Sequence, residues 1–427
     1  MNIKEIINKK RLGCELDRNE ISYVIDGYVK GIIPDYQMSA LLMAICTRGM
    51  TFFETLNLTD SMLHSGDILD LSSIDGIVVD KHSTGGIGDK VTLILAPLLA
   101  SLDIKVAKMS GRGLGYTGGT IDKLESIPNF NVNLTEQEFI DEVNSIGMAI
   151  TSPTSSIDVA DKKIYSLRDV TSTVESIPLI ASSIMSKKLA SNADIIVIDV
   201  KVGTGALIKN KKDAIKLSHY LIDIGSHYNK KVFCILTNMN QPLGYNIGNK
   251  LEVIEAMDAL QGNGCKDLME VVYSIASIII SEVRNISLDE ACNLSIANIN
   301  NGSAYNKFKE FVSSQNGDIN NIKTNSKVVT VFSNKTGYIN EIDAEKIGKL
   351  TLELGAGRIS KEDTIDYDVG ISLNKKVGDY VKEGDILARI YYNDKEIDIN
   401  VFRECFKYSL EKTKVDTIYG MIKCKDM

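Results

Sequence analysis

Two hydrophobic periods alternate along this chain. From residue 34, "PDYQMSALLMAICTRGM" repeats apolar positions every three to four residues. Thr51 and Glu54 then head "TFFETLNLTDSMLHSG" in capping-box spacing, which predicts helices here with Gly66 as a stop. From residue 76 the texture changes. "GIVVD", "IKVAKMS", "ADIIVIDV" and "KVFCILTN" are short, β-branched runs, while "VTLILAPLLASL" and "KKDAIKLSHYLIDIGSHYNK" have helical length. Strands alternating with helices predict a mainly parallel sheet. Residues 151 to 192 read as mostly helical. Beyond an Asn-rich stretch at 293–326, "VVTVFSNKTGYINEID" and "VGISLNKKVGDYVKEGDILARIYYN" are β-rich around the turn "KEGD". The fold class expected is α/β: a helical lobe, a mainly parallel-sheet α/β lobe and a C-terminal α+β domain.

The four strand candidates share an exit. "GIVVD" runs into "KHSTGGIGDK", "VAKMS" into "GRGLGYTGGT", "VIDV" into "KVGTGA", and "CILTN" into "MNQPLGYNIGN". Open α/β sheets bind ligands beyond the carboxyl ends of their strands, so these loops are expected around one cleft. A glycine-rich loop ahead of a helix can aim several N–H groups at an anion, with Lys81, Ser83 and Thr92 adding charge and hydroxyls. Taken alone, such a loop can equally be a tight turn. The second loop adds Lys108, Ser110, Thr117 and Thr120. It also contains Gly113-x-Gly115-x-x-Gly118, a formal dinucleotide fingerprint. The acidic residue that motif needs about 20 positions later falls in the helical-looking "TEQEF", which argues against a nicotinamide site. No Walker motif is present. Ser183 and Lys187 share a helix face at i, i+4. That spacing fits either a solvated cationic face or a lysine directed into a cleft.

Length and composition narrow the function class. With 427 residues, two or three domains are expected. The hydrophobic share of 44 % is ordinary for a globular chain, and the net charge of −8 argues against nucleic acid as a partner. No stretch reads as a signal peptide or a bilayer span, so no membrane partner is expected. The seven cysteines are scattered without CxxC spacing, which fits a reduced, cytoplasmic protein.

Together, "DKHSTGGIGDK", "KMSGRGLGYTGGTIDKLESIP", "YSLRDVTSTVESIPLIASSIMSKK", "QPLGYNIGN" and "LGAGRISKEDTIDYDVGI" make the chain similar to the pyrimidine-nucleoside and thymidine phosphorylases, essentially from end to end. The resemblance implies a homodimer. Residues 1–70 with 155–192 would form a helical, base-binding lobe. Residues 71–154 with 193–330 would form a phosphate-binding α/β lobe, and 331–427 the C-terminal domain. It implies reversible phosphorolysis of uridine, thymidine or deoxyuridine, with inorganic phosphate as co-substrate and no organic cofactor. Lys81, Ser83, Thr92, Lys108, Ser110 and Thr120 match the family's phosphate residues. Arg168, Ser183 and Lys187 match its base-binding residues, and His82 its histidine near the base O2. His82, Arg168 and Lys187 are thus the expected catalytic groups.

The resemblance further implies a potassium ion near Gly88, Lys90, Leu243, Asn246 and Glu255, and retention of that ion is the expectation. Two positions depart from the family. Tyr116 stands where a histidine is usual, and Lys90 where a small hydroxyl or aliphatic residue is usual. A lysine beside a monovalent cation is unfavourable when it points inward. Two other readings stand beside the phosphorylase: a phosphoribosyltransferase of related fold, and a non-catalytic nucleoside-binding protein.

Overall fold

All four predicted strands form, and a fifth joins them. The computed structural model describes residues 1–424 except 114, 117, 359, 361, 362 and 396, so Thr117 lies outside the described residues. Strands β1 (Val78–Ser83), β2 (Lys105–Met109), β3 (Met148–Thr151), β4 (Ile195–Val202) and β5 (Lys231–Asn238) run parallel in the order β5-β4-β1-β2-β3. β3, only "MAIT", is too short to stand out by composition. The chain order reverses direction at β1, between β4 and β2. The carboxyl end of β1 is therefore the switch point at which such sheets hold ligands.

β4 is buried along all eight residues, as a central parallel strand must be. Its side chains alternate between two cores. Ile195 and Val197 pack with Leu93, Ile94, Ile275 and Ile279, while Ile196, Ile198 and Val200 pack with Met185, Leu217 and Leu221. A third core belongs to the helical lobe, where Ile25, Leu42 and Met62 meet Ala160, Ile164 and Leu179.

The helical lobe begins with α1 (Ile3–Arg11), α2 (Arg18–Val29), α3 (Asp35–Arg48) and α4 (Phe52–Leu63). The Thr51–Glu54 capping box is present. Gly66 is not the stop: α4 ends at Leu63 with His64 as its cap. A Cβ at Gly66 would lie 2.2 Å from the Ser156 carbonyl, so glycine is required there for close approach. Asp67 N donates to that carbonyl at 2.8 Å, which joins the N-terminal helices to the later half of the lobe.

Helices α5 (Val91–Ala100), α6 (Thr120–Glu125) and α7 (Glu136–Ile146) follow β1 and β2. Next come α8 (Val159–Asp169) and α9 (Ile177–Ala190), ahead of β4. α9 serves two cores, giving Leu179 to the helical lobe and Ile184 and Met185 to the sheet. α10 (Lys211–His227) links β4 to β5, and α11 (Asn249–Asp258) and α12 (Lys266–Arg284) follow. The Asn-rich stretch turns out largely helical, as α13 (Leu288–Asn300) and α14 (Ser303–Ser314). A Ser287–Glu290 capping box and buried Ala291, Phe308 and Phe311 outweigh its asparagines. No single helix among the described residues is long and apolar enough to cross a bilayer.

The C-terminal part is built from two small antiparallel sheets. β6 (Asn246–Ile247), β7 (Lys327–Phe332), β9 (Gly370–Leu373) and β11 (Ile386–Tyr392) form one, in the order β6-β9-β11-β7. β8 (Gly337–Ile342), β10 (Tyr380–Val381) and β12 (Phe406–Ser409) form the other. The chain crosses the expected boundary near residue 330 twice. β6, from the loop after β5, pairs with β9. The last strand, β13 (Ile418–Lys423), returns to pair antiparallel with β5 and closes that edge of the large sheet. Backbone ladders thus tie the C-terminal domain to the strand-end loops.

Candidate active site

The sheet geometry delivers the predicted loops to one edge. Loop 83–90 follows β1, with positive φ at Gly85 and Gly88, a conformation that favours glycine. A Cβ at Gly86 would sit 2.6 Å from Met239 Cε, and one at Gly203 would sit 2.6 Å from Asn240 N. The loops after β1, β4 and β5 therefore pack into one surface.

Beneath that surface lies an ion network far denser than the sequence suggested. Asp80, fully buried on β1, takes Lys188 Nζ at 2.5 Å and Lys108 Nζ at 3.3 Å. Lys108 also donates to the Lys81 carbonyl. Burial would raise the Asp80 carboxyl, but Lys108 and Lys188 outweigh it and hold it below the usual range. Burial brings Lys108 down to about 8 despite Asp80. On the neighbouring strand Asp199 pairs with Lys201 at 2.7 Å and accepts from Thr237 Oγ1. Asp89 is held far below the usual carboxylate range. Its burial is overcome by Lys201, Lys81 and a hydrogen bond from Ser83.

Lys81 stands apart from these pairs. Its Nζ is 3.6 Å from Asp89 Oδ2 and 3.7 Å from Asp199 Oδ2, beyond hydrogen-bond reach. A buried ammonium with two carboxylates behind it keeps its three donors for a further acceptor. His82, next on β1, is half-buried. Burial, then the charges of Lys188, Lys108, Lys187 and Lys81, push its imidazole well below the usual range. His82 is consequently neutral at pH 7, with one N–H to donate.

The expected base-binding residues lie on α8 and α9 of the helical lobe. Lys187 Nζ donates to Ser183 Oγ at 2.8 Å and to Asp161, and it lies 5.9 Å from the Tyr165 ring centroid. Lys187 is partly exposed, and its charge acts on His82. Arg168 is buried. It donates through Nε to Thr173 O at 3.1 Å, through Nη1 to Leu179 O at 3.1 Å, and through Nη2 to Val174 O at 2.7 Å. Two of its five donors thus hold the segment between α8 and α9, and a third holds the first turn of α9.

Asp158, at positive φ just before α8, accepts from Ser186 Oγ at 2.9 Å. Burial and the adjacent Asp161 raise its carboxyl to about 7, against the pull of Lys187. Between roughly pH 4 and 7 the folded protein holds a proton here that the unfolded chain has released, so this group makes stability fall as pH rises through that window. Asp158→Asn, whose side chain tolerates positive φ, is expected to melt above the parent at pH 8 and level with it at pH 5. An unchanged melting difference across that range would refute the assignment.

The remaining expected residues lie in the loops and helix starts that follow β1 and β2. Thr92 is buried in the first turn of α5, Ser110 follows β2 with its N–H on the Thr151 carbonyl at 3.0 Å, and Thr120 opens α6. Asp122 closes the second loop, accepting from Gly113 N and from Arg358 Nη1 at 2.8 Å. The Tyr116 ring lies 5.9 Å from Lys349 Nζ and packs beside Gly348.

The expected potassium donors also converge, but not around a vacancy. The Lys90 ammonium lies 2.9 Å from both the Leu243 and Asn246 carbonyls and 2.7 Å from Glu255 Oε2. A Cβ at Gly88 would lie 2.5 Å from the same Leu243 carbonyl. Lys90 thus does not face solvent, and its ammonium takes up three of the donors expected around potassium.

Sequence reasoning missed Asp80, Asp89, Lys188, Asp199, Lys201, Asp158 and Asp161. Asp80, Lys188, Asp199 and Lys201 had a legible signal. A charged residue inside an otherwise apolar strand or helix, as in "VVDKHS" and "VIDVKV", is buried and must be paired.

Comparisons with known proteins agree with this layout. Residues 4–66 match the helical bundle domain of a glycosyl transferase family, 75–305 its a/b domain, and 338–409 the pyrimidine nucleoside phosphorylase C-terminal domain. The pyrimidine-nucleoside phosphorylase of Geobacillus stearothermophilus is 51% identical over 405 residues, covering 93% of this chain and 94% of that one. Those of Staphylococcus epidermidis and Staphylococcus aureus are 50% identical over the same shares. Among solved structures, anthranilate phosphoribosyltransferase from Thermus thermophilus covers 73% of this chain and 99% of its own. Its TM-score is 0.59 at 16% identity, a likeness of fold alone. Through its domains and its relatives, this chain belongs to the pyrimidine-nucleoside phosphorylase family.

Proposed function

We propose that the chain catalyses reversible phosphorolysis of pyrimidine nucleosides and deoxynucleosides. The observation that carries this reading is the adjacency of two different groups on one strand end. Lys81 is a buried ammonium whose donors are not spent on its carboxylates, and His82 is a neutral imidazole on which the charge of Lys187 acts. The first suits an anion and the second a neutral or partly charged carbonyl.

In the forward direction a phosphate oxygen bonds to C1′ from the α face as the C1′–N1 bond breaks. The bonding pair departs on the pyrimidine, which takes up a proton to become the free base, and α-(deoxy)ribose 1-phosphate remains. Lys81, Ser83, Thr92, Lys108, Ser110 and Thr120 are read as the phosphate cradle, with those N–H groups of loop 83–90 that are not bonded inside the protein as Thr84, Gly85, Ile87 and Lys90 are. They would strip the dianion of water and aim it, an orientation task. Charge that grows on the base carbonyls meets His82 N–H and Lys187, with Ser183 holding the Lys187 ammonium in place. Arg168 is read as base-binding through the two N–H donors that the Thr173, Val174 and Leu179 carbonyls leave over.

The deciding experiment incubates the purified chain with uridine, thymidine and cytidine, with and without phosphate, and follows base release. Phosphate-dependent release from uridine or thymidine is expected, and none from any of the three would overturn the reading. Phosphate, rather than phosphoribosyl pyrophosphate, should raise the melting temperature.

The finer reading is a cytoplasmic homodimer. Ile32, Tyr36 and Met43 are exposed apolar side chains on and beside α3, a face suited to a second copy. Light scattering should give twice the 46.9 kDa chain mass, and a monomer would refute the pairing.

A further inference from the structure

The loop from Pro242 to Asn246 joins β5 to β6 and lies against the phosphate loop after β1. Four of its backbone carbonyls are taken by two ammonium groups. Lys90 holds Leu243 O and Asn246 O, each at 2.9 Å. Lys376, from the turn after β9, holds Gly244 O at 2.9 Å together with Pro242 O. Each lysine is completed by a carboxylate, Glu255 Oε2 at 2.7 Å for Lys90 and Asp267 Oδ2 at 2.8 Å for Lys376.

All three hydrogens of the Lys90 ammonium are therefore spent, two on carbonyls and one on a carboxylate. Carbonyl oxygens converging with a carboxylate are the donors a hard cation takes. Glu255 is itself fixed, since it accepts the N–H groups of Tyr245 and Asn246 at 2.7 Å each. There is no slack around the ammonium: a Cβ at Gly244 would lie 2.8 Å from Lys90 Nζ and 2.6 Å from Glu255 Oε1. Glu255 and Glu252 outweigh burial and keep Lys90 charged.

Along the backbone, Lys90 follows Asp89, whose carboxylate stands behind Lys81, and directly precedes α5. The ammonium thus fastens the end of the phosphate loop to the strand-end loop that carries β6 into the C-terminal sheet. We propose that Lys90 is a covalently tethered monovalent cation that positions the phosphate loop, so that this enzyme works without potassium. Lys90 is a positioning residue, since nothing places it on the substrate itself.

The proposal rests on the phosphorolysis reading only for its activity arm, so the test carries a melting arm as well. The wild-type chain is melted, and assayed with uridine and phosphate, in choline, lithium, sodium, potassium and ammonium chloride at equal ionic strength. Melting temperature and KM for phosphate are expected to be the same in all five. Lys90→Ser is expected to melt lower in choline and to raise KM for phosphate by about ten-fold or more. Potassium or ammonium chloride, but not lithium chloride, should restore both values part of the way. A lysine that merely packs would give no such rescue. Specific stabilisation or activation of the wild type by potassium would overturn the proposal, as would a Lys90→Ser variant indifferent to every cation. If Lys90→Ser does not fold in any salt, the wild-type melting series still decides. Should no phosphorolysis be found, the melting arms stand on their own.

Discussion

Replacing Lys187 with alanine is expected to lower kcat/KM for phosphorolysis by about 10²–10³-fold, the cost of losing one fixed donor to developing negative charge. The fold should survive. Lys187 sits at a lobe edge with roughly a third of its side chain exposed, and its partners Ser183 and Asp161 lie on α9 and α8 of the same lobe. Its removal also takes away one of the four lysines that keep His82 neutral, so the imidazole should titrate at higher pH than in the parent. If neutral His82 is the working form, the acid limb of the kcat/KM profile moves upward in Lys187→Ala. A variant within three-fold of the parent, or one with an unmoved acid limb, would sink the role given to this residue. Lys187→Arg is the control for charge: it keeps the cation but not the compact ammonium that Ser183 holds, and should recover only part of the activity.

How far the sequence carried the site depends on what each residue contacts. The strand-end loops were legible because glycine patterning and β-branched runs are local signals, and β1, β2, β4 and β5 lie where those runs are. The Ser183–Lys187 face was legible for the same reason, since i, i+4 neighbours need no tertiary knowledge. Gly66 was misread because its need for a bare Cα comes from Ser156, ninety residues away in sequence. β13 was missed because its pairing with β5 is set by the path of the whole C-terminal domain, not by its own "IYGMIK". Lys90 illustrates the limit most directly. From its own neighbours it was only a lysine standing where a small residue is usual, with potassium expected beside it. Only the carbonyls of Leu243 and Asn246, brought over by the loop after β5, decide where its ammonium goes.

The same reasoning gives the largest stability effect expected in the molecule. Asp80 is one buried carboxylate shared by two buried lysines, Lys108 and Lys188. Asp80→Ala leaves both ammonium groups without their counter-charge inside the sheet, and removing one partner of a buried pair costs about 3–5 kcal/mol. The protein should melt well below the parent at pH 7. Lysine pKa gives this prediction a sign. Lys108 already stands near 8 with Asp80 in place, so without it Lys108 should prefer the neutral form in the folded state. A lysine whose folded pKa is depressed costs stability below that pKa and ceases to do so as pH rises through it. The deficit of Asp80→Ala against the parent should accordingly shrink between pH 7 and pH 9. Asp80→Asn, which keeps the shape but not the charge, should show the same trend. A loss that is constant with pH would mean that Asp80 stabilises by packing and hydrogen bonding, not by holding two charges together. That result would also remove the ground for treating the lysines behind His82 as an electrostatic unit, since their charge would then be balanced from elsewhere in the fold.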